Sequence, residues 1–156
     1  MTIIVAHNGT MVADSAAVAS GRIFPCGSPK IKRTRNGGLV ACCGSEDDCF
    51  VFAEWAVAGF PEDAKPTLTA GPDGFMALHM RPDGSVWNFY SVHRSAPTQQ
   101  PAYIGETTAC SVVCGAMAAG ASAEEAVAIA IKHTVWIGGP IQVERLSANE
   151  LAAQSQ

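Results

Sequence analysis

Residues 2–15 read TIIVAHNGTMVADS. Asn8-Gly9 stands between two apolar, β-branched runs, 3–7 and 10–15. That is the pattern of a β-hairpin with a two-residue type I′ turn. The turn dictates a register: His7 faces Thr10, Val5 faces Val12, Ile3 faces Asp14 and Thr2 faces Ser15. The first residues are therefore expected in a core sheet rather than in a loose terminus. The register also sets Asp14 on an otherwise apolar sheet, one position from Thr2. A buried carboxylate is costly unless paired, so Asp14 calls for a cation. Lys30 and Lys32 are both available to it.

Moving outward, 21–29 reads as a loop, with Gly, Pro and Ser at intervals. KIKRTR (30–35) reads as a short strand and Asn36-Gly37-Gly38 as a turn. LVACC (39–43) is a wholly apolar strand, expected to be buried on both faces. Ser45, with acids in the three positions after it, opens a helix through a near capping box to Asp48; Gly59 and Pro61 stop it. Runs 75–80 and 85–90 form a hairpin about Arg81-Pro82-Asp83-Gly84. Residues 95–101 read as a polar, Pro-containing loop and 102–105 as a short strand. Helices follow over 106–120 and 122–136, the second opened by a true capping box of Ser122 and Glu125. A closing strand spans 140–146. Hairpin-linked strands imply antiparallel pairing, and there are enough of them for two sheets. The expectation is an α+β fold, a four-layer αββα sandwich with two antiparallel sheets between helical layers. One domain covers 1–146, with a polar, frayed tail over 147–156.

Composition sets the outer limits. The 156 residues are 48% hydrophobic and 15% charged, with a net charge of −4. A sizeable core is within reach, and disorder is not expected. The acidic balance argues against nucleic acid or an anionic membrane as partner. No apolar run reaches the length of a membrane span, and the first residues lack a basic signal-peptide region, so a cytoplasmic location is expected. The six cysteines, Cys26, Cys42, Cys43, Cys49, Cys110 and Cys114, form no Cys-x-x-Cys pair. They read as free buried thiols, without disulfides, metal or cofactor.

Two residues carry chemistry on their own terms. Removal of Met1 would leave Thr2 with a free α-amine, whose pKa of about 7.7–8.0 suits a general base. A threonine hydroxyl needs such a base to act as nucleophile. Gly44 joins a buried strand to a helix N-terminus, where its unobstructed N–H suits a developing oxyanion. The bland reading makes Thr2 a common second residue, Asp14 a turn cap and Gly44 an ordinary strand-to-helix turn.

Together the segments TIIV, NG, VADS, KIK and LVACCGSEDD resemble the N-terminal half of proteasome β-subunits and of HslV. These are N-terminal nucleophile (Ntn) hydrolases with an αββα sandwich. The resemblance implies that Thr2 is the nucleophile and its amine the base. It implies that Asp14 is the acidic residue of the second strand, Lys30 the catalytic lysine and Gly44 the oxyanion glycine, with Asp48 closing that motif. Ala17, Ser28, Lys32, Cys42, Glu46 and Phe50 would line the specificity pocket. Thr2 to Asp14 is four residues shorter than in the family; an even shortening at the hairpin tip preserves the register. The family's supporting serine falls on Glu106, or on Thr107 if the loop shifts. The Asp and Ser of the family's later D-x-x-S-G-G segment fall on Thr134 and Ile137.

The resemblance thus implies a threonine peptidase or amidohydrolase acting on peptide or protein. It implies a homo-oligomer, with a ring and an ATPase partner as the family's precedent. The compactness is like that of proteasome-like proteins encoded by phages. Two rivals stand beside it. One is a non-catalytic assembly or binding subunit on the same fold, favoured by the missing supporting residues and by any Met1 that stays in place. The other is a hydrolase using Cys42 or Cys43, for which a buried strand is a poor setting.

Overall fold

The computed structural model describes residues 1–19, 22–25, 29–71 and 74–147. The opening hairpin is β1 (Ile3–His7) and β2 (Thr10–Ala13), with His7 opposite Thr10 and Val5 opposite Val12. Asn8 and Gly9 take φ of 46° and 73°, as a type I′ turn requires. At the open end Asp14 N still donates to Ile3 O at 3.2 Å. The return bond differs: Ile3 N donates to the Asp14 side chain, Oδ1, at 3.0 Å. The ladder therefore ends by turning a carboxylate inward.

The hairpin is flanked by β10 (Ala102–Gly105) and β11 (Gln142–Arg145), giving an antiparallel sheet of order β10-β1-β2-β11. A second antiparallel sheet has the order β5-β6-β7-β8-β9. Its strands are β5 (Ile31–Arg33), β6 (Leu39–Gly44), β7 (Phe75–Met80), β8 (Val86–Ser91) and β9 (Arg94–Thr98). The helices are α1 (Glu46–Val57), α2 (Thr107–Ala118) and α3 (Ala123–His133). The fold is α+β. Among the described residues no helix is long and apolar enough to cross a membrane.

Alternation along the strands sorts the apolar side chains into three clusters. Ile4, Ala6 and Met11 of one sheet meet Leu39, Ala41 and Leu78 of the other. Ile3, Val5 and Val12 turn the opposite way, onto Ala109, Val113, Ala126 and Val127 of α2 and α3. Val40 and Ala77 face Phe52, Trp55 and Ala56 of α1. The adjacent Cys42 and Cys43 divide in the same way between the α1 side and the space between the sheets.

Four local expectations change. Residues 22–25 are not loop: β4 (Arg22–Pro25) pairs with β3 (Ala16–Ala19) as a separate two-stranded hairpin. Residues 94–98 are strand β9 rather than loop, and Pro97 is tolerated because an edge strand needs its N–H groups on one side only. Helix α3 stops at His133, and Thr134 caps its end. Ser45 caps α1 by accepting from Asp48 N at 3.4 Å, but Asp48 does not reciprocate. Its carboxylate accepts from Thr69 N at 2.9 Å, Thr69 Oγ1 at 3.1 Å and Ala70 N at 2.7 Å. Those hydrogen bonds, the Thr69 amide first, hold it below the usual carboxylate range. The Ser122–Glu125 box forms as expected, at 3.2 and 2.8 Å. The tail from 148 lies outside the described residues.

His79 lies in the interior of β7 beside Phe60, with ring centroids 4.7 Å apart. Burial pushes its pKa down from 6.5 to about 4. Between those values the unfolded chain binds a proton that the folded chain refuses, so stability falls as pH falls through this window. The full loss expected from this group is about 3 kcal/mol. Urea unfolding near neutrality and near pH ~4.5 should show it, and His79→Phe should reduce the difference between the two conditions. Equal pH dependence in both proteins would contradict the assignment.

Candidate active site

Thr2 precedes β1, Asp14 follows β2 and Lys30 precedes β5, and the three meet at the open end of the first hairpin. Lys30 Nζ donates to Thr2 Oγ1 at 2.6 Å and to Asp14 Oδ1 at 2.8 Å. Thr2 is 9% exposed, and the side chains of Lys30 and Asp14 are 12% and 0% exposed. At that depth the charges are screened little by water, and each needs the other. Asp14 is held further by three backbone donors. Ile3 N lies 3.0 Å from Oδ1, while Ala16 N and Gly138 N each lie 3.2 Å from Oδ2. Lys30 is positioned by its own backbone, whose N–H donates to Gln142 Oε1 at 2.6 Å. Lys32, the other cation open to Asp14, points elsewhere. It pairs with Glu54 at 2.9 Å and lies 5.6 Å from the centroid of the Phe50 ring.

Gly44 ends β6 with φ +118°, and a Cβ there would lie 2.1 Å from Gly74 O. Ser45 N donates to Gly74 O at 2.9 Å. Alternation of the antiparallel ladder then turns the Gly44 N–H away from β7. Gly105 holds the other side of Thr2 with φ +135°, and a Cβ there would lie 1.9 Å from Thr2 O. Gly105→Ala is therefore expected to cost about 3 kcal/mol or more, from left-handed strain and backbone overlap together. Thermal unfolding of the variant checks this; an unchanged midpoint would mean that the chain end shifts freely.

A cavity of about 390 Å³ opens beside Thr2, with Gly44, Cys43, Met76 and Glu106 among its walls and Met1 at its edge. Glu106 N donates to Thr2 O at 2.8 Å, and Glu106 Oε2 caps α2 by accepting from Ala109 N at 2.6 Å. Thr107, the first residue of α2, also lines the cavity.

Of the expected pocket residues, Ala17 is half-buried in β3, Cys42 is half-buried, and Glu46 and Phe50 are exposed on α1. Ser28 lies outside the described residues. Thr134 caps α3, and Ile137 is buried against α2 and α3. The segment holding them still reaches the site through the Gly138 amide on Asp14.

The thiols are less buried than expected. Cys42, Cys43, Cys49 and Cys110 are half-buried and Cys114 is exposed; Cys26 lies outside the described residues. Burial pushes the Cys43 thiol up to about 12. A hydrogen bond with Cys49 and burial push Cys42 up as well. Both are poorly placed to form a thiolate nucleophile.

Sequence reasoning missed the amides of Ala16 and Gly138 and the side chain of Gln142. Backbone donors carry no residue-type signal, and Gln142 is 112 positions from Lys30.

No family model matches the chain, and no curated protein matches it. Solved structures share its fold. Thiobacillus denitrificans BPH is 16% identical over 94% of this chain and 98% of that chain, with a TM-score of 0.64. The same protein in complex with epoxomicin gives a TM-score of 0.63 at the same identity and coverage. Eukaryotic HslV from Trypanosoma brucei is 16% identical over 92% of this chain and 98% of that chain, with a TM-score of 0.60.

Proposed function

We propose that this chain is a threonine-type peptidase or amidohydrolase on a layered αββα sandwich, with Thr2 as nucleophile once Met1 is removed. The observation that carries the reading is the Lys30 ammonium, which donates at once to the Thr2 hydroxyl and to the buried Asp14 carboxylate. Such a contact favours the alkoxide character of Thr2 Oγ1 in the transition state. The α-amine of Thr2 accepts the hydroxyl proton as Oγ1 bonds to the substrate carbonyl carbon. The oxyanion is received by the Gly44 N–H. The C–N bond then breaks, and the leaving amine takes the proton back from the α-ammonium. An ester on Thr2 remains. Water adds to it with the amine again as base, releasing the acid and restoring the hydroxyl.

The reading extends to a peptide or protein substrate and to a homo-oligomer. Ala17, Ser28, Lys32, Cys42, Glu46 and Phe50 are its candidate pocket residues. Epoxomicin, which is held by a protein of the same fold, is a fitting probe.

A second reading, a non-catalytic assembly subunit, is favoured by one observation. At Ile137 an apolar side chain packs into the helix-facing core, where the family pattern would supply a polar group. Intact mass before and after treatment with a β-lactone that acylates N-terminal threonines separates the two. Loss of Met1 and gain of one adduct mapped to Thr2, absent from Thr2→Ala, is the expected result. A chain that begins at Thr2 and gains no adduct would establish the assembly reading.

A further inference from the structure

We propose that Glu106 is the counter-ion of the Thr2 α-ammonium and so sets the pH at which that amine becomes a base. The inference rests on the reading of Thr2 as an N-terminal residue.

The two residues are tied together at the backbone, with Glu106 N donating to Thr2 O at 2.8 Å, and both line the same cavity. Among the described residues no Lys, Arg or His pairs with Glu106. Its Oε2 is engaged by Ala109 N, so the head group is held in place rather than free to swing into solvent.

The charges around Thr2 complete the argument. Lys30 and Asp14 form an ion pair and cancel. Cys43 from β6 and Cys110 from α2 are thiols pushed up by burial to about 12 and about 11, so both are neutral near pH ~7. Among these side chains Glu106 alone is left as an unbalanced charge. Burial acts to raise its pKa, but hydrogen bonds from Thr108 and Ala109 outweigh that and keep it below the usual range. While Met1 is in place, the Thr2 nitrogen is an uncharged amide and the chain's α-amino group sits one residue away on Met1, which also lines the cavity. Removal of Met1 moves the α-amino group onto Thr2 itself, the residue whose backbone Glu106 holds. The neighbouring Lys30 ammonium disfavours a protonated amine, and the Glu106 carboxylate favours it. Glu106 therefore raises the amine pKa against Lys30, making a stronger base that is freed at higher pH. It acts through the amine, as a positioning residue.

The test uses the full chain beginning at Thr2, released by cleavage of a fused leader and checked by intact mass. The α-amine is titrated by competitive labelling with acetic anhydride, read from the mass of the N-terminal peptide. This measurement needs no turnover. Glu106→Gln and Glu106→Ser both keep a helix-capping acceptor without charge, and Glu106→Asp keeps the charge. The amine pKa should fall by about one pH unit in the two neutral variants and return in Glu106→Asp. The acidic limb of β-lactone acylation should move with it. An amine that titrates alike in wild type and whichever neutral variant folds would overturn the proposal. So would an equal fall in Glu106→Asp, because charge would then not be the cause. If no form is acylated at Thr2 yet the amine titrations differ as stated, the nucleophile reading fails and the counter-ion remains.

Discussion

Asp14→Ala is expected to destabilise the fold by about 3–5 kcal/mol, the cost of leaving one member of a buried ion pair unpartnered. The side chain is fully buried, and four donors converge on it: Lys30 Nζ and the amides of Ile3, Ala16 and Gly138. Alanine leaves a buried ammonium and three unsatisfied amides, each of them costly without water. The three amides belong to the start of β1, the start of β3 and the loop before β11. Losing the carboxylate therefore loosens three segments at once. Against a typical total of about 5–15 kcal/mol, that is a large fraction of the stability. Urea unfolding of wild type and Asp14→Ala measures it. A difference below about 1 kcal/mol would mean that water enters and replaces the carboxylate.

Lys30→Met is expected to slow acylation of Thr2 by about 10²–10³-fold, the scale for removing one electrostatic donor from a reacting oxygen. Methionine fills the volume of the lysine stem but supplies neither the 2.6 Å donor to Thr2 Oγ1 nor the partner of Asp14. Stability should fall too, for the reason given for Asp14. The two effects are separable. Adduct formation is followed by mass under conditions where circular dichroism shows the variant folded. A folded Lys30→Met that is acylated at the wild-type rate would remove Lys30 from the mechanism and leave it a structural partner of Asp14. Lys30→Arg is not a conservative control, because the planar guanidinium cannot replace a point donor shared by two oxygens.

The hairpin register, the depth of Asp14 and its need for a cation were legible in 14 residues, 2–15. Asn8-Gly9 admits one turn, and period-two alternation then assigns every side chain a face. The capping box at Ser122 was legible for a similar reason, since both of its partners lie within one helical turn. Alternation did not name the cation; the resemblance to proteasome β-subunits and HslV pointed to Lys30. Lys30 and Lys32 are two apart, and strict alternation would send them to one face. Lys30 precedes β5, which begins at Ile31, so it escapes the alternation and turns to Asp14. Lys32 obeys it and faces α1. Strands β4 and β9 were illegible because an edge strand needs little burial and so leaves no apolar pattern.

Local chemistry by itself determined the hairpin, the buried carboxylate beside Thr2 and the glycine at the strand-to-helix turn, because each depends on neighbours a few positions away. Tertiary structure alone decided which amides hold Asp14, and it seated on that carboxylate the lysine to which the resemblance had pointed. It also decided that Glu106 lies against Thr2. Those contacts join backbone groups and side chains 2 to 124 positions apart, and a backbone N–H looks the same at every residue until the fold aims it.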